Sequence, residues 1–260
     1  MSTQFARLPR IVSFLVLVSI GFVTACGGKD AAPPAATAKP GKPVDAATAG
    51  SVSGKVVFNG TPPPVQMIRM NTDPKCEESG ASSPSEAAIV GGSGGIANVF
   101  VYVKDGLDSA YSFDVPTTAV VLDQKGCKYT PHVAGVRVGQ PINIVNSDDT
   151  LHNVHAMPMT NQEFNQGQPL KGLLMTKTFT APEVMVRFVC NVHGWMRAWI
   201  GVMAHPYFAV TDADGAFKIP NLPPGTYTIG LWHETFGAQE QKVTIAEKQD
   251  ATLSLSYAAK

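Results

Sequence analysis

From Ser51 onward the chain never keeps one pattern for long. Runs in which apolar and polar residues alternate, such as "SVSGKVVF", "IANVFVYV", "VRVGQPINIVN" and "VMVRFVC", are soon cut off by turns such as "NGTPPP". Alternation at period two puts successive side chains on opposite faces of a strand. The 24 glycines and 20 prolines leave little room for long helices. The expected fold class is all-β. In "VMVRFVC" the period puts Val184, Val186, Phe188 and Cys190 on one face, so Cys190 closes a strand on its core side. The loop "GGSGG" lacks the lysine of a phosphate-binding loop and reads as a flexible connector.

At 260 residues there is room for one large or two small domains. The formal charge is zero, with no basic run, which argues against a nucleic-acid partner. The first residues read as a targeting signal: Arg7 and Arg10, then the apolar "IVSFLVLVSIGFV", then "VTAC". That ending resembles a bacterial lipobox. The resemblance implies a signal peptide over 1–25, acylation of Cys26, and lipid anchoring to a membrane of the bacterial cell envelope, on the periplasmic or outer-membrane face. Residues 26–50 are Ala/Pro-rich without apolar period and read as a tether that reaches about 75 Å when extended.

Three cysteines then remain. In an oxidising compartment Cys76 and Cys127 form a disulfide or stay as two buried thiols. Cys190 is left unpaired, and a free thiol in that setting needs protection, which a metal would supply.

Beyond Pro206, "FAVTDADGAFKIPNLPPGTYTIGLWHE" reads as strand, tight turn, strand, Pro-Pro-Gly turn, strand. "DADG" lacks the further ligands of a calcium loop and is a turn. Thr211, Asp212, Gly215, Phe217, Leu222, Pro223, Pro224, Gly225, Thr226 and Tyr227 make this stretch resemble the carboxypeptidase regulatory-like domain, a small transthyretin-like β-sandwich. The first strands of such a sandwich resemble "SVSGKVVFNGTPP" and "NVFVYV", which lie far upstream. The resemblance implies one discontinuous sandwich from 51–110 and 205–258, with a second domain, 111–204, inserted in it or fused to it.

That second segment contains "NSDDTLHNVHAM" and "FVCNVHGWMRAW". A thiol, an imidazole and a thioether within seven positions suit copper, because thiolate and thioether favour Cu(I) and imidazole serves both oxidation states. Methionine is a poor zinc ligand and no second thiolate is at hand. The Cys-x2-His-x2-Met loop and the "HNVH" stretch resemble cupredoxins of the amicyanin and plastocyanin type, Greek-key β-sandwiches with a blue copper site. By that resemblance the ligands are His152, Cys190, His193 and Met196, and Asn153 braces the ligand loop. His155, three residues from His152, faces the other way along a strand and reads as a surface or supporting histidine. Val192 and Gly194 stand where the family carries prolines, which loosens the loop. Trp195 either extends an apolar collar for partner docking or packs beneath the loop.

The expected function is that of a type-1 copper protein with one copper, carrying electrons by an outer-sphere route to a redox partner protein in the envelope. His193 is the expected surface exit. Enzymatic activity is not expected, because His132, His155, His205 and His233 are scattered. Two alternatives stand beside this. In one, Met157 and Met159, with Met175 or Met185, form a transient Cu(I) site in a copper-handling protein. In the other, the regulatory-like sandwich is a surface interaction module and copper is structural.

Overall fold

The computed structural model describes residues 41–259. The signal peptide, Cys26 and the tether up to residue 40 lie outside the described residues. The chain lays down β1 (Gly50–Asn59), β2 (Met67–Arg69), a short helix α1 (Pro74–Glu78), β3 (Ser82–Pro84) and β4 (Phe100–Asp105). Next come β5 (Val120–Gln124), β6 (Tyr129–Thr130), β7 (Val133–Arg137), β8 (Ile142–Asn146) and β9 (His152–Met157). They are followed by β10 (Phe164–Gln168), β11 (Leu174–Lys177), β12 (Glu183–Val189) and β13 (Arg197–Met203). The last are β14 (Phe208–Val210), β15 (Ala216–Leu222), β16 (Gly225–His233), β17 (Gly237–Ile245) and β18 (Asp250–Ala258).

The strands form two sandwiches. The outer one faces a β15-β1-β18 sheet with a β14-β4-β16-β17 sheet. Its core gathers Val52, Val56, Val101, Ile219, Ile229 and Leu231 from both sheets, alternating inward as the pleat requires. The inner sandwich faces β10-β9-β12-β13-β7 with β11-β8-β5-β6 around Leu122, Ile144, Val154, Phe188 and Ile200. β1 and β4 belong to the outer sandwich, β5 to β13 to the inner, and β14 to β18 to the outer again. A third cluster, centred on Phe100, Val133 and Met203 with Trp199 and Trp232 beside it, joins the two.

Several expectations are corrected. The tether stops short of residue 50: the Lys42 N–H donates to the Ala110 carbonyl at 2.7 Å and the Lys248 N–H to that of Thr48 at 3.0 Å. Backbone pairing holds this segment, and composition carries no trace of it. Residues 67–84 leave the outer sandwich; Met70 and Cys76 are buried in the inner core and Ile68 packs against it. Conversely, Phe113 packs on the outer core, so the inner sandwich begins near Val120 rather than at 111. "GGSGG" is a closed turn rather than a loose connector, with the Gly91 N–H donating to Gly95 and the Phe58 N–H to Gly94. Val184 is exposed, because the β12–β13 register shifts between Glu183 and Val186. Among the described residues no helix is long and apolar enough to cross a membrane.

Candidate metal centre

β9 and the loop between β12 and β13 build the site. On β9 the pleat turns His152 and Val154 inward, both 0% exposed, while His155 faces the other way. There His155 meets Asn191 Oδ1 at 3.3 Å and Glu163 Oε1 at 2.6 Å, so it is a supporting histidine near the surface. Cys190 follows the last residue of β12. The loop closes on itself: the Met196 N–H donates to the His193 carbonyl at 2.9 Å and the Cys190 N–H to that of Met196 at 3.3 Å. These bonds hold Cys190, His193 and Met196 in one buried turn.

Ligand atoms of His152, Cys190 and His193 all lie within 4.8 Å of one another. His152 Nδ1 and His193 Nδ1 face each other at 2.9 Å, and Cys190 Sγ is 4.0 Å from the latter. The outer nitrogens are occupied: His152 Nε2 sits 3.0 Å from Asp148 Oδ2, and His193 Nε2 sits 2.9 Å from Asp73 Oδ2. Ionised carboxylates only accept, so each Nε2 carries a proton and the Nδ1 atoms are left to share a cation. Burial works against charge on His152, yet Asp148 and Cys190 raise its pKa to about 9. Burial likewise pushes the Cys190 thiol up, but His152 and the N–H groups of Asn153, His193 and Val192 outweigh it and bring the thiol down. Two of those N–H groups, from Asn153 and His193, stand 3.4 and 3.3 Å from the sulfur.

Two imidazole nitrogens and a thiolate-favouring sulfur, all buried, fit a soft or borderline transition metal. Met196 is 1% exposed in the same loop, and a thioether suits copper better than zinc. Two other groupings around the site include Cys76 or Cys127. Those cysteines form a disulfide and offer no thiolate.

Asn153 spans the site. Its Oδ1 accepts from the Asn191 N–H and its Nδ2 donates to Asn165. The Tyr129 hydroxyl donates to its carbonyl at 2.7 Å. One expectation about the exit fails, and Trp195 takes the packed one of its two readings. His193 is only 2% exposed, because α1 and the disulfide lie over it, with Cys76 Sγ 3.6 Å from Nε2. Trp195 is half-buried: its Nε1–H donates to the Cys127 carbonyl at 3.0 Å and its ring lies 5.0 Å from that of His193. It packs over the loop rather than forming an open collar. The four methionines of the copper-handling alternative lie in different surroundings, with Met157 42% exposed. Met159 is 97% exposed, Met175 belongs to the inner core and Met185 to the cluster between sandwiches.

Two site residues were not foreseen, Asp73 and Asp148. Asp148 lay within "NSDDTLHNVHAM", four residues before His152. Asp73 carries only the signature of a helix start, an N-cap residue followed by proline in "DPKCEE".

A family model for the carboxypeptidase regulatory-like domain matches residues 202–257. No curated protein matches the chain. Among solved structures, the chain is similar to the copper-containing nitrite reductase of Thermus scotoductus SA-01, at 20% identity and a TM-score of 0.31. That match covers 35% of this chain and 24% of the reductase. A copper(I) amicyanin variant matches at 23% identity and a TM-score of 0.30, over 40% of this chain and 98% of that one. A purple cupredoxin from Nitrosopumilus maritimus matches at 19% identity and 0.28, over 32% and 99%. The chain is thus an all-β protein that carries a carboxypeptidase regulatory-like domain, and the solved structures similar to it include cupredoxins.

Proposed function

We propose that the chain is a single-copper electron carrier of the bacterial cell envelope, not an enzyme. The observation that carries this reading is the buried set of His152, Cys190 and His193, whose free donor atoms converge within 4.8 Å. Copper held there exchanges one electron at a time between two oxidation states. The protein's own part is to keep the donors fixed through that change. Cys190 is held by two backbone N–H groups, His152 by Asp148, and the loop by Asn153. Met196 serves as the weak fourth donor. With all three strong donors buried, a partner exchanges electrons through the protein and not by direct contact with the metal. That burial, beneath a cross-linked helix, also argues against ready transfer of copper to an acceptor.

The Cys76–Cys127 disulfide favours an oxidising compartment, in keeping with lipid anchoring through Cys26. A redox protein of the same compartment is the proposed partner. Titration of the purified protein with Cu(II), beside Cys190→Ala, tests the reading. An intense visible thiolate-to-copper band at one equivalent is expected, bleached by a reductant and absent from the variant. A protein that binds copper without that band, or binds none, would overturn it.

A further inference from the structure

We propose that Asp73 is the positioning residue of His193, delivered to the metal centre by a helix that lies outside the inner β-sandwich strands. The inference rests on the copper reading above and deepens it. The two Asp73 oxygens have separate tasks. Oδ1 caps α1, accepting from the Lys75 N–H at 2.7 Å. Oδ2 accepts from the Thr150 hydroxyl at 2.9 Å and meets His193 Nε2 at 2.9 Å. A carboxylate at Nε2 fixes the proton there and leaves the Nδ1 lone pair turned toward His152 and Cys190.

Asp148 does the same for His152, and its own place is set by the N–H groups of Gly126 and Cys127 at 2.7 and 2.8 Å. The disulfide ties the two arrangements together. Cys127 holds Asp148 through its backbone, and Cys76 belongs to the helix that Asp73 caps. The histidines differ in what else holds them. His152 is a strand residue with Asp148 close by in sequence. His193 sits on a loop beside Gly194, which has open space about it, and its carboxylate comes from 120 residues away. The orientation of His193 therefore depends on the cap. A histidine ligand held by a carboxylate is more basic and stabilises the oxidised metal.

The test separates positioning from helix capping. Asp73→Ser keeps an oxygen that can cap α1 but does not reach Nε2. Asp73→Asn keeps the shape but presents N–H groups to Nε2, which favours the opposite imidazole tautomer. In metal-free protein labelled with 15N-histidine, a His193 Nε2–H signal is expected in the wild type and lost in Asp73→Asn. With copper, both variants are expected to bind about 10–100-fold more weakly and to show a raised reduction potential. If neither tautomer nor potential moves while only the melting temperature falls, Asp73 is a helix cap and the proposal is overturned. Should Asp73→Asn not fold, Asp73→Ser carries the same comparison. A wild type that takes up no copper overturns the proposed function, and the metal-free imidazole signal still decides the role of Asp73.

Discussion

Asn153 joins the two halves of the metal centre, since its backbone N–H points at Cys190 Sγ and its Oδ1 accepts from the Asn191 N–H. Asn153→Ala leaves that Asn191 N–H without an acceptor in a part-buried loop. The expected loss of stability is about 1–3 kcal/mol. Cys190 and His193 flank Asn191, so copper loss to a chelator is also expected to be about tenfold faster. Thermal melting and chelator competition check the two effects separately. Wild-type copper retention would mean that the loop's own Cys190–Met196 and Met196–His193 bonds suffice to hold it. At this scale the sequence was most readable where the chemistry is local. Cys190, His193 and Met196 lie within one turn, and Asn153 adjoins His152. Asp73 was unreadable as a site residue because its partner is 120 residues away. In sequence an N-cap aspartate looks the same whether or not a buried imidazole waits above it.

The strands β7 and β13 run parallel with Gly135 opposite Gly201. A Cβ at either position would overlap an aromatic ring, Phe208 at the first and Phe100 at the second. The two glycines form a window into which the outer sandwich presses its rings, themselves stacked 5.7 Å apart. Gly201→Ala is expected to destabilise by about 1–3 kcal/mol through overpacking. Phe100→Leu in the same chain should relieve part of that loss, so urea unfolding of the four proteins in a double-mutant cycle should show favourable coupling. Additive losses would mean that β13 moves aside instead. The cap offers a second test at this scale. The Cys76–Cys127 link spans 51 residues. Replacing both cysteines by serine should cost about 4 kcal/mol by loop-closure entropy, read as a lowered denaturation midpoint. Alternation and turn chemistry made the strands legible. The glycine window was not, because a glycine inside a strand pattern signals a close approach without saying to what. The cap was also hidden, since its five-residue helix and two three-residue strands are too short for any period.

The sandwiches meet across buried charge as well as apolar surface. His132 bonds Glu234, whose other oxygen accepts from Trp199 Nε1–H at 3.1 Å. The C-terminal half of the outer sandwich was legible from its dense turn signals. The return of the chain from β13 to β14, and with it the residues that face each other here, depended on pairings made far apart in sequence. Behind Glu234, His233 is buried and its ring stacks on Phe236 at 4.5 Å. Its Nδ1 accepts from the N–H groups of Thr235 and Phe236, which fixes it as a neutral acceptor at the β16–β17 turn. Burial, aided by His132, lowers its pKa from 6.5 to about 4, against the pull of Glu234. A histidine harder to protonate when folded binds fewer protons than in the unfolded chain, so stability rises with pH across that window. His233 therefore contributes fully above pH 6.5, and its contribution is lost as pH falls from 6.5 to about 4. The loss corresponds to about 3 kcal/mol. In metal-free protein His152 acts in the opposite sense: its pKa is raised to about 9, so its contribution is present below 6.5 and lost as pH rises through 9. It is thus constant across the acid window and does not mask His233. His233→Gln keeps an acceptor for the turn and removes the titrating group. Urea unfolding of the metal-free protein between pH 6.5 and 4 should show a falling midpoint in the wild type and a flatter one in the variant. Parallel curves would assign the acid loss to carboxylates instead, with Glu234, held down by the same contacts, first among them.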